Sequence, residues 1–215
     1  MNERLAALRA AAMEERDPTC SDDVLSVLLN EVERVGAKHI LEIGTGRGLT
    51  SVALLLQSDA CVTTIERDQA RIAAARENFA RFGVSDRVAL LEGDAADILP
   101  CLEDVFDLIF LDAAKVQYRR FLPECKRLLR AGGVLCADDV LLFSDGVPKK
   151  RRMLAPDNGE VSPGLPAEDD SHTAMLPVRK GVSVAGRRPS PTYRPDSAMA
   201  YSVPRIAHCT SPTSA

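Results

Sequence analysis

Over the first two thirds of the chain, apolar residues recur with two alternating periods. Val24, Val27, Leu28, Val32 and Val35 share one helical face, which predicts a helix over Asp22–Val35 with Ser21 as its N-cap. His39–Ile43 is a short apolar run of strand length. Leu49–Gln57 has helical spacing but is apolar on most sides, so it is expected deep in the core. A second strand is expected over 61–65, then a helix over Gln69–Phe82 stopped by Gly83, then a third strand over 88–91. A short helix over 95–99 ends at Pro100. Phe106–Leu111 reads as a fourth strand, apolar except at Asp107. A helix over 117–129, ended by Gly132 and Gly133, leads to a fifth strand over 134–137. Upstream, residues 1–16 mix Ala and Leu with Glu and Arg, which predicts an amphipathic helix rather than a signal peptide.

Strand and helix alternating five times imply an α/β fold with a parallel sheet covered on both faces. In such doubly wound, Rossmann-like sheets, ligands bind beyond the carboxyl ends of the strands. The residues just after each strand are therefore the candidates for chemistry.

The first strand runs into Glu42-Ile43-Gly44-Thr45-Gly46-Arg47-Gly48. Glycines at alternate positions let backbone approach a ligand, and the loop opens onto a helix N-terminus with free N–H groups. A dinucleotide fingerprint is G-x-G-x-x-G. Here Gly48 arrives one residue early, which disfavours an NAD-dependent dehydrogenase. The spacing is similar to the G-x-G-x-G loop of class I methyltransferases, which hold an amino-acid-bearing nucleoside, so Gly44, Gly46 and Gly48 become cofactor-side candidates. After the second strand comes Glu66, whose carboxylate can accept both hydroxyls of a ribose or complement a helix dipole. After the third comes Gly93-Asp94-Ala95, where Asp94 can read an adenine amino group, N-cap the next helix, or do both.

Asp112 follows the fourth strand, and Asp138 and Asp139 follow the fifth. Neighbouring strands would gather three carboxylates, which repel unless something positive is bound. Hard oxygen donors suit Mg²⁺, Mn²⁺ or Ca²⁺. The bland alternative is that one or two of them only cap loops.

These segments together carry a resemblance. Leu41-Glu42-Ile43-Gly44-Thr45-Gly46, Thr64-Ile65-Glu66, Gly93-Asp94-Ala95, 106–115 and Gly132-Gly133-Val134 leading to Ala137-Asp138-Asp139 resemble the metal-dependent O-methyltransferases that include catechol and caffeoyl-CoA O-methyltransferases. The resemblance spans residues 36–142, about half the chain. It implies S-adenosylmethionine (SAM) as methyl donor and a divalent metal, Mg²⁺ first. Asp112, Asp138 and Asp139 would be the metal ligands, Lys115 the catalytic lysine with Asp112 beside it, and Glu42, Gly44, Thr50, Glu66, Ala95 and Asp112 positions that touch the cofactor. The third ligand is usually Asn, so Asp139 adds a negative charge. The run Ala113-Ala114-Lys115, with Gln117 and Tyr118, is similar to a bacterial branch that methylates 5-hydroxyuridine of tRNA. The expected acceptor is thus a hydroxyl of a catechol-like small molecule or of hydroxylated tRNA uridine. A phenolic hydroxyl has a pKa of about 10, so metal coordination and a base such as Lys115 are needed to ionise it at neutral pH.

The resemblance also implies a methyltransferase sheet closed by an antiparallel hairpin, here around 172–178 and 181–184, with Arg179-Lys180 where relatives usually have Gly-Asp. Residues 149–154 resemble the start of a long helix, but 155–166 carries Pro156, Gly159, Pro163, Gly164 and Pro166, which oppose its continuation. The expected organisation is one domain over 1–188, irregular at 155–166, and a disordered tail over 189–215 rich in Ser, Pro, Thr and Arg. The altered C-terminal third keeps a second function open, a SAM-binding protein without turnover.

Composition narrows the rest. A net charge of −4 gives no global pull toward nucleic acid or anionic membrane. The cluster Lys149 to Arg152 reads as a solvated helix start, with attraction for tRNA phosphates as the sharper alternative. No run of about 18 apolar residues predicts a membrane span. The 6 cysteines show no CxxC spacing and read as small apolar side chains in a reducing cytoplasm. A cytoplasmic location and a homodimer are the remaining expectations.

Overall fold

The computed structural model describes residues 3–14, 19–138, 171–176 and 182–187. Seven strands form one sheet in the order β3-β2-β1-β4-β5-β7-β6. They are β1 (His39–Ile43), β2 (Cys61–Glu66), β3 (Val88–Glu92), β4 (Phe106–Leu111), β5 (Leu129–Ala137), β6 (Ser171–Leu176) and β7 (Val182–Arg187). The first five are parallel; β7 runs antiparallel to β5, and β6 antiparallel to β7. The expected parallel sheet and its closing hairpin are both present.

Alternation along the strands explains the two layers. In β4, Leu108 and Phe110 face one cluster, while Ile109 and Leu111 face the other. Both faces are apolar because both are covered. One face packs on α1 (Glu3–Glu14), α2 (Asp22–Val35), α3 (Leu49–Gln57) and α4 (Gln69–Phe82), through Leu8, Leu28, Leu54 and Phe79. The other packs on α5 (Ala95–Ile98) and α6 (Tyr118–Leu128), through Ala95, Phe121 and Cys125. Each fully buried Leu, Ile or Phe contributes roughly 1.5–3 kcal/mol. A helix is present near the N-terminus, over Glu3–Glu14, and it buries Leu5, Leu8 and Ala12 at helical spacing.

Asp107, the polar exception in β4, accepts the Lys38 and His39 N–H groups at 2.7 Å each and pairs with Arg130. Arg130 in turn donates to the Val35 carbonyl at 3.0 Å. This network ties the amino end of the sheet to the end of α2.

Several boundaries differ from expectation. Strands β2 and β3 each extend one residue, to Glu66 and Glu92, because their ladders pair there. The short helix tightens into a 3-10 turn over Leu99–Cys101. Strand β5 begins at Leu129 rather than 134: Phe106 pairs with Leu129, then the register jumps before Leu108 pairs with Val134. Gly132 and Gly133 thus lie in a bulge inside the strand and do not stop a helix, which ends earlier at Leu128.

The irregular stretch 155–166, the basic cluster 149–152, the Arg179-Lys180 pair and the tail 189–215 lie outside the described residues. Among the described residues no helix is long and apolar enough to cross a membrane. Cys20, Cys61, Cys125 and Cys136 are free thiols.

Candidate active site

The strand order reverses between β1 and β4, and a cleft of about 870 Å³ opens at the carboxyl ends there. Gly44 leaves β1 at φ +104, and its N–H donates to the Ile65 carbonyl at 3.0 Å. A Cβ on Gly44 would collide with the carbonyl oxygen of Asp112. Glycine at this position therefore lets the tips of β1 and β4 touch. Gly46 and Thr50 also line the cleft. Gly48 does not: it starts α3 at φ +81, and a Cβ there would lie 2.6 Å from the Phe79 ring of α4. Its missing side chain serves helix packing.

Glu66 lines the cleft and holds the loop. Its Oε2 accepts the Gly46 N–H at 2.9 Å, and its Oε1 accepts those of Arg67 at 2.9 Å and Asp68 at 3.0 Å. Asp94 and Ala95 line the same cleft. Asp94 N-caps α5 by accepting the Ala96 N–H at 2.9 Å, and it pairs with Arg67 at 3.0 Å. The Ala96 N–H, then Arg67, hold its carboxyl below the ordinary aspartate range.

Glu42 departs from the expected role. It is 1% exposed and is not part of the cleft wall. It lies beside Thr64 across the β1–β2 ladder, accepts the Thr64 hydroxyl at 2.8 Å, and also accepts the Ser51 hydroxyl of α3. Thr64 is in turn 2.6 Å from the Thr45 hydroxyl. The carboxyl thus braces the glycine loop from behind. Burial pushes its pKa up to about 8, although both hydroxyl donors oppose the rise.

Asp112 and Asp138 follow the paired residues Leu111 and Ala137, and both line the cleft. The Tyr118 hydroxyl sits between the two strand tips, 2.8 Å from the Leu111 carbonyl and 3.2 Å from that of Asp138. Lys115 opens the 3-10 turn Lys115–Gln117, three residues past Asp112. Asp139 lies outside the described residues, and among those described no group of three or more His, Cys, Asp or Glu side chains forms a metal site.

Several cleft features were not expected from sequence. Cys20 lines the cleft with its Sγ 3.2 Å from the Thr50 hydroxyl, and burial raises its pKa to about 12. Arg9 of α1 reaches the same wall and donates to the Cys20 carbonyl at 2.6 Å. Neither residue belongs to a local motif. Tyr118 stood in a recognised run, but its bridging hydroxyl depends on how α6 docks.

A family model described as O-methyltransferase matches residues 5–188. The chain belongs to the O-methyltransferase family. A protein of Mycolicibacterium vanbaalenii, provisionally named an O-methyltransferase, is 31% identical over 191 residues, spanning 85% of this chain and 83% of that protein. A Staphylococcus aureus structure, provisionally described as a caffeoyl-CoA O-methyltransferase, superposes with a TM-score of 0.79 at 28% identity, covering 86% of this chain and 93% of that one. The O-methyltransferase from Bacillus cereus, solved in complex with SAH, superposes with a TM-score of 0.74 at 25% identity, covering 87% of this chain and 92% of that one. This O-methyltransferase thus has the doubly wound fold of its relatives and uses SAM as methyl donor.

Proposed function

We propose that the enzyme transfers the SAM methyl group, with help from a divalent metal, to a hydroxyl of a catechol-like small molecule or of a hydroxylated tRNA uridine. The observation in its support is the placement of Asp112 and Asp138 at adjoining strand tips, in one cleft with Gly44, Gly46 and Glu66. Two neighbouring carboxylates repel unless a cation or proton relieves them, and an all-oxygen donor set suits Mg²⁺, then Mn²⁺ or Ca²⁺. Asp112, Asp138 and Asp139 are assigned as its ligands. A divalent cation held there supplies Lewis acidity toward the acceptor hydroxyl.

The remaining work falls to the chain. Glu66 accepts the ribose hydroxyls: an ionised carboxylate has about four acceptor sites, and its three backbone donors leave capacity on the cleft side. The backbone of Gly44 and Gly46 lets the nucleoside approach closely, with Asp94 and Ala95 on its adenine side and Thr50 on its amino-acid side. Gly48 and Glu42 serve this site by positioning α3 and the loop. Lys115, held as the neutral amine, receives the acceptor proton and becomes an ammonium. Holding the hydroxyl oxygen in line with the sulfonium methyl supplies much of the acceleration.

The test is methyl transfer to catechol and to tRNA carrying 5-hydroxyuridine, each in EDTA and after Mg²⁺ is restored. Loss in EDTA and recovery with Mg²⁺ for one acceptor is expected. EDTA-insensitive transfer would remove the metal from the scheme. SAM binding with no transfer to either acceptor would favour a protein without turnover.

A further inference from the structure

Gln117 brings the only side-chain amide to the cleft wall among the described residues, and that amide makes no hydrogen bond to any of them. Its backbone N–H donates to the Ala114 carbonyl at 2.8 Å, which fixes the residue at the end of the 3-10 turn Lys115–Gln117. The side chain is half-buried on the cleft wall, so it keeps a surface that a ligand can reach. An amide there offers a donor and an acceptor side by side.

The surroundings say what it meets. Gln117 and Phe121, about one helical turn apart, both line the cleft. Phe121 packs in one cluster with Ala95 and Ile65. Arg120, three residues past Gln117, is close enough to Asp94 to help hold its carboxyl down. The head of α6 therefore stands beside Asp94 and Ala95, on the α5 side of the cleft. Asp94 is already committed there, its Oδ1 to the Ala96 N–H and its Oδ2 to Arg67. Ala95, Ala113 and Ala114 give this wall only methyl groups, which leaves room for a flat ring. A ring seated there has apolar faces against it and one uncommitted amide at its edge. Adenine matches, because its 6-amino donor adjoins a ring nitrogen acceptor, the complement of an amide.

We propose that Gln117 recognises the adenine of SAM, its Oε1 accepting from the 6-amino group and its Nε2 donating to the ring nitrogen next to it. The inference deepens the cofactor site proposed above and rests on it. Asp94 then shapes the base pocket as the cap of α5, and the reading of the base falls to Gln117.

The test is calorimetric titration of the full chain with SAH and with the SAH analogue that carries hydrogen in place of the adenine 6-amino group. Wild type should bind SAH about fivefold to thirtyfold more tightly. In Gln117→Met, which keeps the length of the side chain without its amide, that preference should fall to about twofold or less. Gln117→Glu keeps an acceptor and loses the donor, so it should retain most of the preference while binding both ligands more weakly. Equal affinity of wild type for the two ligands would overturn the proposal while the cofactor site stands. An undiminished preference in Gln117→Met would also overturn it: with affinities unchanged the amino group would belong to Asp94, and with an equal loss for both ligands Gln117 would only pack. Absence of SAH binding by wild type would overturn the cofactor site and this inference with it.

Discussion

Replacing Glu42 by Gln should make the protein's stability less sensitive to a rise in pH from about 4.5 to about 8. The carboxyl is buried, 1% exposed, and its pKa is pushed up to about 8 in the fold. Burial is the main cause, and repulsion from Asp112 and Glu66 adds to it. Its ordinary value is 4.5. A raised folded pKa means the folded state holds the proton more tightly than the unfolded chain. The associated stability is complete below about pH 4.5 and is lost as pH rises through about 8. Over that window wild type should lose up to about 1.4 kcal/mol per pH unit relative to the variant, or about 5 kcal/mol in all. The Glu42→Gln protein has no such dependence, because the new amide stays neutral and still offers an oxygen to Ser51 and Thr64. Near pH 5 the two proteins should differ by less than about 1 kcal/mol. By pH 8.5 the variant should melt about 10 °C higher, at about 2–4 °C per kcal/mol for a domain of this size. Thermal unfolding of both proteins from pH 5 to 9, in EDTA and without cofactor, measures this difference. Parallel curves across the whole range would refute the reasoning, because an ordinary carboxyl is already ionised throughout it.

Two further substitutions probe the strand tips. Gly44→Ala should cost roughly 3 kcal/mol or more, from the positive φ and the collision with the Asp112 carbonyl, and should also weaken SAH binding in a titration. Tyr118→Phe leaves the Asp138 carbonyl without its hydroxyl donor and should cost about 1–2 kcal/mol, read as a Tm drop of about 2–8 °C. The same variant should bind Mg²⁺ more weakly in a calorimetric titration, since the tips bearing Asp112 and Asp138 lose their brace.

What could be read from the sequence was whatever short-range pattern encodes. The double-faced apolar strands, the glycine loop, Glu66 at the second tip and Asp112 beside Asp138 all follow from local spacing and the rule that ligands sit at the strand ends. The rest depends on register and docking. Glu42 lies in the same motif as Gly44, yet its burial is set by lying opposite Thr64 and beneath Ser51 of α3. Gly48 looked like part of the ligand loop because its contact, Phe79, is 31 residues away. Leu129 joins β5 only because it can pair with Phe106, which no helical period in 117–129 reveals. Arg9 meets the site because α1 packs against α3, and no local spacing foretells that.

The carboxylate of Glu66 joins two segments, the Gly46 amide of the glycine loop and the Arg67 and Asp68 amides of the turn after β2. Ordering a backbone residue costs about 1–2 kcal/mol, and for this stretch that cost is met when the chain folds. Cofactor capture then resembles a key entering a set lock more than a hand closing on a ball. For the cofactor seat proposed above, affinity is spared the penalty of freezing the loop, and the departing SAH would leave behind a seat already shaped for the next turnover.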